Sequence, residues 1–261
     1  MKLSEAMAMI EKRIPLSWAE PWDNPGLAAG DPEAEITKVA LALDATPASA
    51  ASAAAAGCEL LVTHHPLIFH PLKSVRRDDY VGRTLFAAIG GGLSIYAAHT
   101  NWDSSPEGVN FVLSSLLDLK EVAPLVPSLS GAWGMGAVGR LAEPLSLSAF
   151  SELLRERWRL SNFTMYGDGG RLLERVALGG GACQEFWREA RSLGADCFVT
   201  ADFSYHYRQE ALDAGLALVS ADHGEMERAS LPALRGVVEA ETGLPVHIID
   251  EVYAPFFHGR G

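Results

Sequence analysis

Short apolar runs alternate along this chain with stretches of helical periodicity, and that alternation is the strongest limit on its fold. ELLVT (59–63), LSIYAA (93–98), RVAL (175–178), CFVT (197–200), LALVSA (216–221) and VHIID (246–250) are too short for helices and read as strands. Between them lie helical patterns. Leu3, Met7, Ile10 and Ile14 fall on one helix face, and in TPASAASAAAAG (46–57) Thr46 is placed to cap, Pro47 to open and Gly57 to stop a helix. GRTLFAAIG (82–90) gives another helix. Ser105 and Pro106 are expected to cap one running through Leu117, later helices stop at Gly194 and Gly215, and a long one is expected over 224–241.

Alternation of this kind predicts an α/β protein with mixed sheets flanked by helices. The Gly- and Pro-rich region 120–145 is the expected boundary between two lobes, 1–125 and 126–261. A chain of 261 residues is long enough for both to carry a core.

The net charge of −12 argues against non-specific binding to nucleic acid or to an anionic membrane, but not against a small anionic ligand. No apolar run reaches the roughly 20 residues of a membrane span. The first residues read as an amphipathic helix rather than a secretory signal, so cytoplasmic residence is expected. Cys58, Cys183 and Cys197 form no CxxC pair and are expected to be buried as small hydrophobes rather than to bind zinc or form disulfides.

In α/β sheets, functional side chains gather past the carboxyl ends of strands. Three such ends here are rich in metal-ligand residues: VTHH with His64 and His65, YAAHTNWD with His99 and Asp103, and VSADHGEME with His223 and Glu227. If a helix starts near His223, Glu227 lies four residues on, along the same face. Adjacent histidines in extended backbone point to opposite sides, so His64 and His65 would serve two ions rather than one. His64, His65, Asp103, His223 and Glu227 make five donors, enough for two ions if one carboxylate bridges, with Glu227 the bridging candidate. Imidazole and carboxylate without sulfur suit Zn, Mn, Fe or Co. Two such ions about 4 Å apart generate a hydroxide nucleophile at neutral pH.

Other features carry less. GGG at 179–181 could cradle phosphate but lacks GxGxxG spacing and a P-loop lysine, and a plain turn is the better reading. Lys73, Arg76, Arg77 and Arg83 read as a solvated basic face that could also hold an anion. His206 is expected on a helix surface or at a subunit contact, and no role is assigned to His70, His247 or His258. Without a GxSxG elbow or a cysteine nucleophile, covalent hydrolase chemistry is disfavoured.

WDNPGLAAGDP (22–32), ALDATP (42–47), LLVTHHPLIF (60–69), YAAHTNWD (96–103) and the His223/Glu227 segment, in this order, resemble the NGG-one-interacting-factor-three-like family. Its bacterial members are often called GTP cyclohydrolase 1 type 2 homologues. The resemblance implies a two-lobed α/β subunit with a dinuclear metal site between the lobes and a ring-like homohexamer. It also implies the form without an inserted mid-chain domain. It places one ion on His65, Asp103 and Glu227 and the other on His64 and His223, with Glu227 shared. His99 falls where the family keeps a histidine close to the metals, as an acid/base or as a group touching a ligand. Ala201 stands where family members commonly have glycine, and the GGGAC block lacks a later one.

The expected function is metal-dependent hydrolysis by metal-bound hydroxide, either GTP cyclohydrolase-like or phosphoester cleavage of a small anion. The alternative is a non-enzymatic metal carrier or scaffold that forms a ring oligomer. An enzyme would depend on His99; a carrier would not.

Overall fold

The computed structural model describes residues 1–128 and 133–249. By contacts the chain divides into two units, each discontinuous in sequence: residues 1–10, 24–98 and 238–261 in the first, 11–23 and 99–237 in the second. This differs from the expected cut at 125/126, and it moves Asp103 out of the unit that holds His64 and His65. The chain's last strand pairs with one of its first, which returns the C-terminal residues to the first unit, while the strand Lys120–Ala123 pairs with Ala137–Ser146 in the second unit's sheet.

The first unit begins with helix α1 (Leu3–Arg13), whose boundary with the second unit falls after Ile10. Strands β1 (Gly26–Ala29) and β2 (Val39–Ala42), helix α2 (Pro47–Ala55), strand β3 (Leu60–Thr63), helix α3 (Tyr80–Gly90) and strand β4 (Ser94–Ala97) follow. β2, β3 and β4 are buried throughout, as near-continuous apolar strands of a covered parallel sheet should be. Thr46 caps α2 as expected, its side chain accepting the Ser49 N–H at 2.8 Å while the Ser49 hydroxyl accepts the Thr46 N–H at 2.8 Å. The small face of α2, Ala50 and Ala53, packs with Leu85 and Ala88 of α3 over Leu61 and Ile95 of the sheet.

Most of the second unit follows in sequence: α4 (Thr100–Asp103), α5 (Val109–Leu116), β5 (Lys120–Ala123), β6 (Val126–Pro127), β7 (Gly134–Met135), β8 (Ala137–Ser146), α6 (Leu147–Trp158), β9 (Phe163–Tyr166) and β10 (Leu172–Leu178). Then come α7 (Trp187–Ser192), β11 (Cys197–Thr200), α8 (Tyr205–Asp213), β12 (Ala217–Ala221), α9 (His223–Arg228) and α10 (Leu231–Thr242). The chain closes in the first unit with β13 (Val246–Ile248), giving the sheet order β1-β4-β3-β2-β13, parallel except for β1. The second sheet runs β5-β8-β10-β11-β12-β9, with β10, β11 and β12 parallel and the outer strands antiparallel. Phe198, Leu218 and Ala177 of this sheet pack against Trp187 and Ala211 of its helices.

Three local expectations are corrected. The Gly- and Pro-rich region 120–145, expected as a boundary, carries strands in its described part; residues 129–132 of it lie outside the described residues. The helix after Pro106 starts at Val109, because residues 105–108 turn tightly over the end of α4, where a Cβ on Gly108 would sit 1.6 Å from the Trp102 carbonyl oxygen. The long helix expected over 224–241 is broken between Arg228 and Leu231. Pro232 has no N–H, and its ring would collide with the Arg228 carbonyl of a continuous helix. The break leaves α9 as a short separate helix carrying His223 and Glu227.

Candidate metal centre

In the first unit the parallel strands share one carboxyl edge, so the residues just past β2, β3 and β4 meet there. His64 and His65 follow β3 but are not in extended backbone. Both N–H groups turn back to the Leu43 carbonyl, at 3.2 and 3.0 Å, and the Thr63 hydroxyl donates to the His65 carbonyl at 2.8 Å. The two rings therefore lie side by side, centroids 5.0 Å apart and tilted by 45°, where alternation would have sent them to opposite faces.

Each ring is held by one nitrogen. His64, only 1 % exposed, has Nδ1 2.9 Å from the Ala98 carbonyl just past β4. A carbonyl oxygen only accepts, so Nδ1 carries the proton and the lone pair sits on Nε2. His65 Nδ1 lies 2.8 Å from Oδ1 of Asp44, just past β2, which sets the same tautomer with a carboxylate.

The second unit repeats the device at the ends of β10, β11 and β12. Asp222 caps α9, accepting the Glu225 N–H at 2.9 Å, and so starts the helix at His223. His223 Nδ1 lies 2.7 Å from Oδ2 of Asp202, past the end of β11, and Nε2 lies 3.2 Å from Glu227 Oε1, one helical turn along. Glu227 is 2 % exposed. Against this pair sits Gly181, at φ +73°. A Cβ there would come to 2.4 Å from Glu227 Oε1 and 3.1 Å from His223 Nε2, so the backbone itself walls the pair. The Gly181 carbonyl is fixed by the Thr200 hydroxyl at 2.6 Å and the Ala201 N–H at 2.9 Å. The glycine run is a braced turn rather than a phosphate cradle, because the Gly180 N–H is already donated to Asn110.

α4 supplies the other two residues. His99 stands at its N-cap with Nδ1 2.8 Å from Asp23 Oδ1, and the Trp22 ring meets the imidazole edge-on, centroids 6.2 Å apart. Burial pushes the Asp23 carboxyl up. Hydrogen bonds from His99 and from the Thr100 N–H and hydroxyl outweigh it and hold the pKa at about 2. Asp103 ends the helix, 3 % exposed. Burial drives the Cys183 thiol well above its ordinary range, and the carboxylates of Asp103, Glu185 and Glu227 add to that, a sign of negative potential in this unit.

These residues fit a metal. Four histidines, His64, His65, His99 and His223, each have Nδ1 on an oxygen acceptor, which fixes the ring and puts the lone pair on Nε2, the nitrogen that could meet an ion or a proton. With the proton on Nδ1, His223 presents a lone pair to the Glu227 carboxylate at 3.2 Å. A cation, or a second proton on the ring, reconciles the two. Among the described residues, the candidate side chains for holding an ion are His64, His65, His99, His223 and Glu227.

The sequence reading missed Asp44, Asp23 and Asp202. Asp23 and Asp44 lie inside the quoted blocks and Asp202 two residues past CFVT; Asp44 and Asp202 lie just past strands, and the same search for ligand-type residues at strand ends would have found those two. The remaining expectations concern the surface and the cysteines. Cys58, Cys183 and Cys197 are buried, and His70, His206 and His247 are exposed; His258 lies outside the described residues. Of the basic cluster, Arg76 pairs with Asp78 at 2.5 Å and Arg77 stacks 4.2 Å over Phe86, a solvated face. No described helix is long and apolar enough to cross a membrane.

The sequence profile of the Duf34/NIF3 family (NGG1p interacting factor 3) matches residues 1–255. A Clostridium perfringens protein called GTP cyclohydrolase 1 type 2 homolog is 32 % identical over 228 residues, 87 % of each chain. A Nostoc sp. protein of the same name is 34 % identical over 259 residues, covering 93 % of this chain and 97 % of its own. Among solved structures, a Bacillus cereus protein related to NIF3 superposes with TM-score 0.93 at 21 % identity, covering 98 % of this chain and 99 % of its own, and so shares the fold.

Proposed function

The chain belongs to the Duf34/NIF3 family, and on that premise we propose that it binds two divalent ions of the Zn, Mn, Fe or Co class and acts as a metal-dependent hydrolase. His64, His65, Asp103, His223 and Glu227 are the proposed ligands, Glu227 bridging. The observation that carries this is the common anchoring of the histidines through Nδ1, because a surface or core imidazole has no need of one repeated tautomer.

When bound, such a pair of ions would lower the pKa of a water and stabilise negative charge developing on a substrate. The chain's own residues do the rest. Asp44 and Asp202 orient His65 and His223 and raise their basicity. Gly181 leaves no room for a side chain against the His223–Glu227 pair. His99 is the proposed proton carrier: Asp23 holds its Nδ1–H, leaving Nε2 to take a proton and then return it to a leaving group, with the carboxylate stabilising the imidazolium in between. The relatives' names point to GTP as the first substrate to try, and a phosphoester of a small anion uses the same groups.

Elemental analysis of protein purified without added metal or chelator, beside His64→Ala and Glu227→Gln, tests the reading. About two ions per chain, lost in both variants, supports it. Hydrolysis of GTP or a phosphodiester that follows occupancy and fails in His99→Ala makes it an enzyme. Full occupancy with no dependence on His99 leaves a carrier or scaffold. Wild-type protein that takes up no Mn, Zn or Fe sinks it. The ring-like homohexamer belongs to the same proposal, and light scattering in solution checks it.

A further inference from the structure

Asp103 and the Gly179–Gly181 loop come from different elements of the second unit, and one buried side chain joins them. Asn110, fully buried at the start of α5, donates from Nδ2 to the Asp103 carbonyl at 3.1 Å and accepts at Oδ1 from the Gly180 N–H at 2.9 Å. A primary amide both donates and accepts without charge, which is what two backbone groups of opposite kind require in a dry interior.

The backbone it grips has little freedom. A Cβ on Gly180 would meet Val109 Cγ1 at 2.4 Å, and the next residue, Gly181, is the one that walls Glu227 and His223. Beyond it the Cys183 N–H donates to the Thr200 hydroxyl at 3.0 Å and the Cys183 thiol reaches the Gly180 carbonyl at 3.2 Å. Displacing the amide would therefore move the Asp103 turn on one side and the wall of the His223–Glu227 pair on the other.

We propose that Asn110 is a positioning residue for the metal centre, setting Asp103 in register with His223 and Glu227. The inference rests on the reading of those residues as ligands. Its charge-bearing near-copy cannot replace it: Asn110→Asp keeps the shape and the acceptor for Gly180, but turns a carboxylate oxygen towards the Asp103 carbonyl.

Competition of Mn²⁺ and Zn²⁺ against a chelator, well below the unfolding temperature, compares wild type with Asn110→Ala, Asn110→Asp and Leu113→Ala. Both Asn110 variants are expected to bind about 10- to 100-fold more weakly. Leu113→Ala opens a cavity under the same helix without touching either hydrogen bond, and keeps wild-type affinity. Either Asn110 variant at wild-type affinity overturns the proposal, and so does Leu113→Ala losing as much as Asn110→Ala. NMR of the metal-free chain separates this failure from failure of the metal reading. Asn110→Asp should shift the His223 ring resonances, and Asn110→Ala should lift the exchange protection of the Gly180 amide. If wild type binds neither ion, the metal reading falls; unmoved His223 and Gly180 signals then overturn the positioning role on their own.

Discussion

The two units assemble their donors by the same route, at the carboxyl ends of parallel strands, yet the proposed ligands of one are imidazoles alone and those of the other include buried carboxylates. In the first unit His64 is anchored by a main-chain carbonyl and His65 by Asp44, and neither ring is anchored on a proposed ligand. In the second, His223 sits between Asp202 and Glu227, walled by a glycine, and Asp103 is buried as well. The difference teaches that the carboxylates that cost most to take out of water, Asp103 and Glu227, are gathered in the second unit.

Gly181→Ala should break the comparison most completely. The added methyl must displace Glu227 or the loop, and the left-handed backbone adds strain. Ion binding should be abolished and unfolding free energy should fall by about 2–4 kcal/mol; titration calorimetry and denaturant unfolding check the two effects. A variant with wild-type affinity would show that the wall is not needed.

Next in size, Asp202→Asn and Asp44→Asn should each weaken ion binding by about 10- to 100-fold, but not equally. An amide at 202 can donate to His223 Nδ1 and move the ring proton to Nε2, where Glu227 Oε1 at 3.2 Å would accept it and compete with the ion. Asp202→Asn is therefore the worse of the pair. Equal losses would mean that the charge asymmetry between the units has no consequence. His64 has no counterpart to this pair, since the Ala98 carbonyl cannot be replaced by a side-chain substitution.

Asp23→Asn should cost about 1.5–3 kcal/mol of stability at neutral pH by weakening its bonds from His99 and Thr100. The pKa of Asp23 is lowered on folding, from 3.8 to about 2, so its charged form stabilises the fold above the higher value. That stability is lost as the pH falls through the lower one. The gap in unfolding free energy between wild type and Asp23→Asn should therefore shrink between about pH 4 and pH 2, and a gap that widens there would contradict the assignment.

The smallest effect belongs to Glu59, at the opposite end of β3 from the histidines. Burial pushes its carboxyl up, but the Thr37 and Lys38 N–H groups and the Thr37 hydroxyl together draw it below its ordinary value. Glu59→Gln should cost about 0.5–1 kcal/mol, vanishing in acid as the wild-type carboxylate protonates, with ion affinity unchanged. Lost affinity would mean that His64 and His65 depend on the whole strand rather than on its carboxyl end.

Much of this was legible locally, because the signals are local. The cap at Thr46, the strands ELLVT and CFVT, and the His223–Glu227 pair on one helix face depend on residues within a turn or two of one another, and short-range geometry decides them. The strand ends rich in His and Asp named five candidate ligands, and family likeness grouped them. The tilt of His65 beside His64 could not be read, since it comes from the Leu43 carbonyl of a neighbouring strand's end. Nor could the break at Pro232 be weighed against the helical periodicity around it, or the strands of 120–145 against their glycines and prolines.

The alternation of elements, the donor residues and their positions at strand ends were determined by the sequence itself, through propensity, periodicity and side-chain chemistry acting along the chain. Only the tertiary structure decided which oxygen holds each imidazole, that Gly181 lies against Glu227, that Asn110 ties Asp103 to Gly180, and that the last strand returns to the first unit. Those outcomes depend on contacts between residues tens of positions apart, whose closeness is set by sheet register and packing rather than by any neighbour in sequence.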